Sequence, residues 1–265
     1  MLWAASVARR EAARRAMGQG DSAPQPYPSL WTWLKAWAEE VVASVQTFGW
    51  RQPWAHRQWA DHLPADSKGR QGVLLVHGFV CNRGFWNTWM PRLRAAGVPH
   101  VAVSMGPPFA DIAVQAQGLQ QAWQRLVDAT GAPPLLVGHS MGGLAIRHWL
   151  SCQPDDVALE HEVITIGTPH HGTALAVMAQ SPAAMQMQLL SPFLTGLAAG
   201  ESAARRSQFT CYWSVCDNIV FPASTATLPA ARNIAVHGRA HVALAQAPVI
   251  LADVLARTSS GTRQV

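Results

Sequence analysis

The stretch Leu136-Val137-Gly138-His139-Ser140-Met141-Gly142-Gly143 decides the fold. It places a G-x-S-x-G pattern directly after an apolar run and directly before a helical one. A serine at such a junction can occupy a sharp, strained turn, and glycines two residues before and after it let the backbone approach closely. The helix N-terminus offers unpaired N–H groups and partial positive charge where an oxyanion would form. The pattern therefore predicts that Ser140 is a nucleophile.

Around this stretch, short unbroken apolar runs alternate with helical patterns, which cover about 112–129 and 144–150. Unbroken apolar runs are typical of parallel strands that helices cover on both faces. We therefore expect an α/β fold with a mostly parallel sheet. The predicted strands are 73–76, 100–103, 135–137, 163–166, 209–215 and 233–236.

An insertion at about 173–207 is apolar and rich in methionine. Flexible apolar side chains suit a lid over an acyl pocket. A helical cap that never moves fits the same residues, because sequence shows hydrophobicity and not motion. Both interpretations of this helical cap or lid stay open.

A serine hydroxyl needs a base to remove its proton, and the base needs an orienting carboxylate. In this arrangement the acid and then the histidine follow the nucleophile along the chain. Asp217 follows the apolar run 209–215 and precedes a loop, so it is the expected acid. For the base we prefer His241, which lies in a loop with the freedom to reach Ser140. The alternative is His237, whose direction the preceding strand fixes.

Five stretches resemble the bacterial lipase and esterase branch of the α/β-hydrolase superfamily, and the resemblance covers about three quarters of the chain, from Gln71 onward. The resemblance implies the α/β-hydrolase fold, cleavage of carboxylic esters through an acyl-enzyme, and a triad of Ser140, Asp217 and His241. It also implies that the backbone N–H groups of Phe79 and Met141 form the oxyanion hole. The five stretches are His77-Gly78-Phe79, Gly138-His139-Ser140-Met141-Gly142-Gly143, Gly167-Thr168-Pro169-His170-His171-Gly172-Thr173, Asp217-Asn218-Ile219-Val220-Phe221-Pro222 and Gly238-Arg239-Ala240-His241.

Several reactions share this set of residues. The same triad could pass an acyl group to an alcohol or amine other than water, or act on thioesters or amides, and nothing in the sequence separates these reactions from hydrolysis of an ester or lipid. A non-catalytic binding protein on the same scaffold would lack a triad member, and none is missing.

Other classes of partner find little support in the sequence. The adjacent His170 and His171 have no carboxylate partner at ligand spacing, so we expect a structural turn and no metal. The four cysteines form no CxxC pair and are expected to be reduced thiols. We expect no cofactor. The net charge is +5, of which +3 lies in the first twenty residues, so no nucleic-acid footprint covers the domain.

We divide the chain into an N-terminal helical extension at 1–60 and a catalytic domain at 61–265. The extension comprises a basic helix at 1–20, a linker at 18–28 and an amphipathic helix at 30–48, and six of the twelve tryptophans lie between Trp31 and Trp59. This helix could lie on a membrane surface or pack on the domain as ordinary core, and both interpretations stay open. With no triad candidate, the extension is expected to serve location or stability more than chemistry.

The sequence contains no signal-peptide pattern and no run of about 18 apolar residues. We therefore expect the protein in the cytoplasm or peripherally at the inner membrane.

Overall fold

The structure is a computed structural model that describes residues 28–260. The predicted basic helix at 1–20 lies outside the described residues, and so does all but the last residue of the predicted linker at 18–28. The boundary between extension and catalytic domain near residue 60 stays a prediction.

A six-stranded sheet forms the centre, in the order β2-β1-β3-β4-β5-β6, and all neighbouring strands are parallel. The first five are buried along their whole length, and β6 is the partly exposed edge. Register pairs Val76 with Gly138 and Gly138 with Thr165, so the carboxyl ends of these strands lie side by side. The predicted parallel sheet is confirmed. The strands are β1 (Val73–Val76), β2 (His100–Ala102), β3 (Leu135–His139), β4 (Val163–Ile166), β5 (Phe209–Trp213) and β6 (Arg232–Ala235).

Helices cover both faces of the sheet, as predicted. They are α1 (Leu30–Ser44), α2 (Met90–Ala95), α3 (Ile112–Thr130), α4 (Met141–Ser151), α5 (Asp155–Leu159), α6 (Pro182–Gln186), α7 (Pro192–Gly200), α8 (Ala203–Ser207), α9 (His241–Leu244) and α10 (Pro248–Ser260). Strand side chains point alternately to the two faces. Leu74 and Val76 join the core with α3 and α4, whereas Val73 and Leu75 join the core with α2, α9 and α10.

The cap segment between β4 and β5 is helical. It contains α6, α7, α8 and a 3₁₀ turn at Ala174–Met178. Ala183 and Leu194 are buried in the core below it, whereas the Met178 side chain is 80% exposed. Movement of the cap as a lid stays a prediction.

Helix α1 packs on the domain, but not through its apolar stripe. Its buried residues are Ala36, Glu40 and Ala43. The apolar residues at helical spacing face solvent, and Trp37 and Val45 are 66% and 65% exposed. The small side chains of Ala36 and Ala43 on the buried face allow a close approach to α9. Residues 28–260 leave the apolar stripe uncovered. The chain then continues into a π-helical turn at Val45–Arg51.

One described segment, His241–Ser259, is long and apolar enough to span a bilayer by length and composition, with a mean hydropathy of 1.3. Half of it is buried within the structure. It includes α9 and α10, which pack on the sheet, so the same composition serves the protein's own core.

Candidate active site

Ser140 occupies the tip of a sharp turn between β3 and α4, with φ +54° and ψ −128°. Positive φ is uncommon for a residue with a Cβ and accords with the strain expected of a nucleophile elbow. The flanking glycines have no room for a side chain. A Cβ on Gly138 would lie 2.6 Å from the Gly143 nitrogen, and a Cβ on Gly142 would overlap the Val76 carbonyl oxygen.

The three side chains of the predicted triad meet above this turn. His241 Nε2 lies 2.9 Å from Ser140 Oγ. On the other side of the ring, Nδ1 lies 2.9 and 3.0 Å from the two carboxylate oxygens of Asp217. Because a carboxylate only accepts, Nδ1 carries the proton and Nε2 is free to accept the serine proton. All three side chains are buried.

Asp217 is held by the loop that follows β5. Its Oδ1 accepts hydrogen bonds from the backbone N–H groups of Ile219 and Val220, both at 2.8 Å. The next side chain, Asn218, accepts a hydrogen bond from the His241 backbone N–H at 3.1 Å. The loop that carries Asp217 therefore fixes His241 through both its ring and its main chain.

Two carboxylates raise the pKa of His241. Burial lowers the pKa of His241, but the charge and hydrogen bond of Asp217 raise it, and the charge of Glu40 raises it further. The result is a pKa above the ordinary value of 6.5. By contrast, His237 is exposed in the turn after β6.

The predicted oxyanion donors flank Ser140. Met141 is the first residue of α4, and Phe79 lies in the loop after β1, beside Gly78, where a Cβ would lie 2.9 Å from the Ser140 Cβ. Within residues 28–260, neither the Phe79 nor the Met141 N–H donates a hydrogen bond to another protein group. Free donors next to Ser140 are what an oxyanion would require if this serine attacked a carbonyl group.

Buried histidines support the loops around the site. His77 Nδ1 donates to the Gly78 carbonyl oxygen at 2.8 Å, and Nε2 accepts from the Met105 N–H at 2.9 Å. Burial lowers the pKa of His77 to about 4, so this ring stays neutral. His139 stacks on Phe85 with ring centroids 4.3 Å apart.

Some groups that shape the site have no local sequence signal. Arg147 on α4 forms a buried, two-pronged ion pair with Glu201, with Nε–Oε1 at 2.8 Å and Nη2–Oε2 at 2.6 Å. Its Nη1 also donates to the His170 carbonyl oxygen at 3.0 Å. His170 itself is buried, with Nε2 3.0 Å from Thr165 Oγ1. Among residues 28–260, no group of three or more His, Cys, Asp or Glu side chains could hold a metal ion.

The mouth of the site carries exposed apolar side chains. Phe79 and Phe109 meet edge to face with ring centroids 5.6 Å apart. Phe109, Val80 and Phe221 are each about half exposed. Phe221 lies on the loop that carries Asp217 and joins the cap, because its carbonyl oxygen accepts from the Ala174 N–H at 2.8 Å.

The fold and this constellation define an α/β-hydrolase. The alpha/beta hydrolase family model matches residues 73–259, and the chain belongs to that family. Two curated relatives are triacylglycerol lipases of Pseudarthrobacter phenanthrenivorans and Burkholderia plantarii, each 29% identical over 139 residues, or 47% of this chain. The match covers 43% and 38% of those lipases, so this chain spans about two fifths of their length.

Solved lipases share the fold. Bacillus licheniformis lipase in its mature form superposes with a TM-score of 0.58 at 19% identity and covers 72% of this chain and 95% of that one. Aspergillus fumigatus lipase B gives 0.55 at 22% identity and covers 68% of this chain and 48% of that one. At such identities the likeness shows the fold alone.

Proposed function

We propose that this protein hydrolyses carboxylic esters through an acyl-enzyme on Ser140. The observation that carries the proposal is the continuous hydrogen-bonded chain Asp217–His241–Ser140 at the strained turn. The curated relatives, which are named triacylglycerol lipases, support the choice of an ester as substrate.

The geometry supports a two-step reaction. Ser140 Oγ attacks the ester carbonyl carbon while His241 Nε2 takes its proton, and the Phe79 and Met141 N–H groups stabilise the oxyanion. The bond to the alcohol breaks, and His241 returns the proton to the leaving oxygen. Water then attacks the acyl-enzyme with His241 again as base, which releases the acid and restores Ser140. Asp217 keeps the ring oriented and favours the imidazolium formed in both steps.

Hydrolysis of p-nitrophenyl esters of increasing acyl length tests this function. Ser140→Ala and His241→Ala should each lower kcat by about 10⁴-fold or more, and the double variant should be scarcely worse, because these residues act as one unit. His237→Ala is the matched control and should keep most of the activity. Labelling of the Ser140→Ala protein by a fluorophosphonate probe would assign the nucleophile to another serine.

We further propose that the substrate is a lipid and that the protein contacts a membrane surface peripherally through α1. The exposed apolar stripe runs along α1 and into the π-helical turn that follows it, and it includes Trp37 and Val45. Tryptophan is favoured at membrane interfaces. The first twenty residues, which precede α1, carry a net charge of +3 and complement anionic lipid.

Cosedimentation with vesicles of phosphatidylglycerol and phosphatidylcholine tests this contact. Trp37→Ser/Val45→Ser should reduce binding by about tenfold or more, whereas the exposed Val249→Ser on α10 should not. Equal binding by both variants would refute the contact. A concentration-dependent dimer that Trp37→Ser/Val45→Ser abolishes would assign the stripe to a second copy of the chain instead.

A further inference from the structure

The short helix α9 begins with His241 but lacks a cap of its own. Its N-cap residue is Ala240, which has no side-chain oxygen. The first backbone N–H groups of a helix have no partner within the helix, and an N-cap oxygen usually accepts from one of them. At α9, Asn218 accepts from the N–H of His241, and the next two donors belong to Val242 and Ala243, the residues that directly follow His241.

Glu40 of α1 supplies the missing acceptor from about 200 residues away along the chain. Both of its carboxylate oxygens lie 2.9 Å from the Val242 nitrogen, and Oε2 also lies 2.9 Å from the Ala243 nitrogen. The carboxylate is buried, with only 7% of the residue exposed. A buried carboxylate that accepts from two main-chain N–H groups fixes the position of the backbone that carries them.

The same helix also contacts the chain just before His241. Glu39 forms an ion pair with Arg239 at 2.8 Å. A Cβ on Gly238, which has φ +65°, would lie 3.3 Å from the Thr32 side chain. Helix α1 therefore contacts the chain on both sides of His241. The Glu39–Arg239 pair is a partly exposed contact between side chains, whereas Glu40 binds the backbone itself.

We propose that Glu40 is a positioning residue for ester hydrolysis. It holds the backbone at His241 so that the His241 ring reaches Ser140, and it stabilises the imidazolium of that ring. The proposal rests on the proposed function and gives the N-terminal helix a part in the chemistry. Three titratable groups from different elements face His241: Asp217 after β5, Glu40 on α1 and His139 at the end of β3. Burial holds the pKa of His139 well below its ordinary value, so the two carboxylates supply the charge near His241.

The direction of the pH effect follows from these charges. Hydrolysis needs unprotonated His241, so kcat/KM rises with pH through the pKa of His241 in the free enzyme. Glu40 favours the protonated form and raises that pKa. Replacing Glu40 by glutamine keeps its size and removes its charge, so the rise in kcat/KM should move to lower pH.

The test compares Glu40→Gln, Glu40→Ala and the adjacent Glu39→Gln in the full chain, with active sites counted by fluorophosphonate. Glu40→Gln should lower kcat by about tenfold with KM within about twofold, because small misplacement of a base costs rate more than binding. Glu40→Ala should lose more, and Glu39→Gln should keep both kcat and the pH profile. If the Glu40 variants lower thermal stability but keep kcat per active site and the pH profile, Glu40 is only a cap and the proposal is wrong.

A second readout separates this proposal from the proposed function. Histidine ring resonances report the pKa of His241 by NMR without any substrate. If wild-type protein hydrolyses no ester, the proposed function fails. A His241 pKa that still falls in Glu40→Gln, and not in Glu39→Gln, would support the contact between Glu40 and the base. An unchanged His241 pKa would overturn it.

Discussion

Replacing Glu201 by glutamine is expected to lower thermal stability strongly while leaving the chemistry intact. Glu201 follows the cap helix α7, and its partner Arg147 lies on α4, the helix that begins just after Ser140. Both side chains are 1% exposed. Two hydrogen bonds join them, and Arg147 also donates to the His170 carbonyl oxygen, so the pair connects the cap to α4 and to the loop after β4.

The size of the expected loss of stability follows from the burial of this ion pair. Breaking a buried ion pair by neutralising one partner leaves the other charge buried and costs about 3–5 kcal/mol. In a domain of this size, each kcal/mol shifts Tm by about 2–4 °C, so Glu201→Gln should lower Tm by about 6–20 °C. Replacing both partners, in Arg147→Met/Glu201→Leu, should recover much of the loss, because no unpaired charge remains.

Thermal unfolding followed by circular dichroism measures these shifts, with Asp66→Asn as control. Asp66 pairs with Arg70 at the surface, where the side chains are 71% and 41% exposed, so its loss should cost about 1 kcal/mol or less. A Glu201→Gln shift no larger than the Asp66→Asn shift would refute the reasoning. A stable but inactive Glu201→Gln protein would make Glu201 a competitor of Asp217 for the role of acid.

Two further predictions concern Gly167, which lies beside Asp217 and His241, and the four cysteine thiols. Gly167→Ala should lower the free energy of unfolding by about 1–2 kcal/mol, because φ at this residue is +55°. It should also lower kcat by about 10²-fold, because the new Cβ would lie 3.0 Å from Asp217 Oδ2 and 3.2 Å from His241 Nδ1. A kcat near that of the wild type would contradict this prediction. Of the four free cysteines only Cys152 is exposed. Burial raises the pKa of Cys81 and of Cys211 to about 12. Ellman's reagent should therefore titrate about one thiol per native chain and all four after denaturation, and rapid native reaction of several would contradict the buried thiols.

The sheet could be predicted because its signal is local. A strand buried on both faces must be apolar throughout, and that requirement is visible residue by residue. The predicted runs 73–76 and 163–166 have the bounds of β1 and β4. The run 209–215 extends two residues past β5, because Ser214 and Val215 already belong to the loop that carries Asp217.

The trio around Ser140 could be anticipated for a related reason. Each member follows a strand whose position the apolar runs had indicated, and parallel strands bring their carboxyl ends to one edge of the sheet. The choice between His237 and His241 depended on the prediction that His241 lies in a loop. In the structure His241 is instead the first residue of α9, directly after that loop. It still reaches Ser140, whereas His237 is exposed. Their catalytic roles stay predictions until the variants are assayed.

The contacts of α1 could not be predicted from hydrophobic periodicity, because the face that packs is not the apolar one. Periodicity predicts that an apolar stripe faces the interior. The buried face of α1 instead binds two backbone N–H groups through the Glu40 carboxylate, and an apolar side chain such as leucine could not accept these hydrogen bonds. A weak sequence signal did exist at the other end of the contact. Ala240 precedes the helix that begins with His241, at a position where Ser, Thr, Asp or Asn is usual. An uncapped helix buried in the core needs its acceptor from elsewhere. Few acidic residues lie on predicted helices outside the triad region, so the missing cap would have narrowed the search to a short set that includes Glu40.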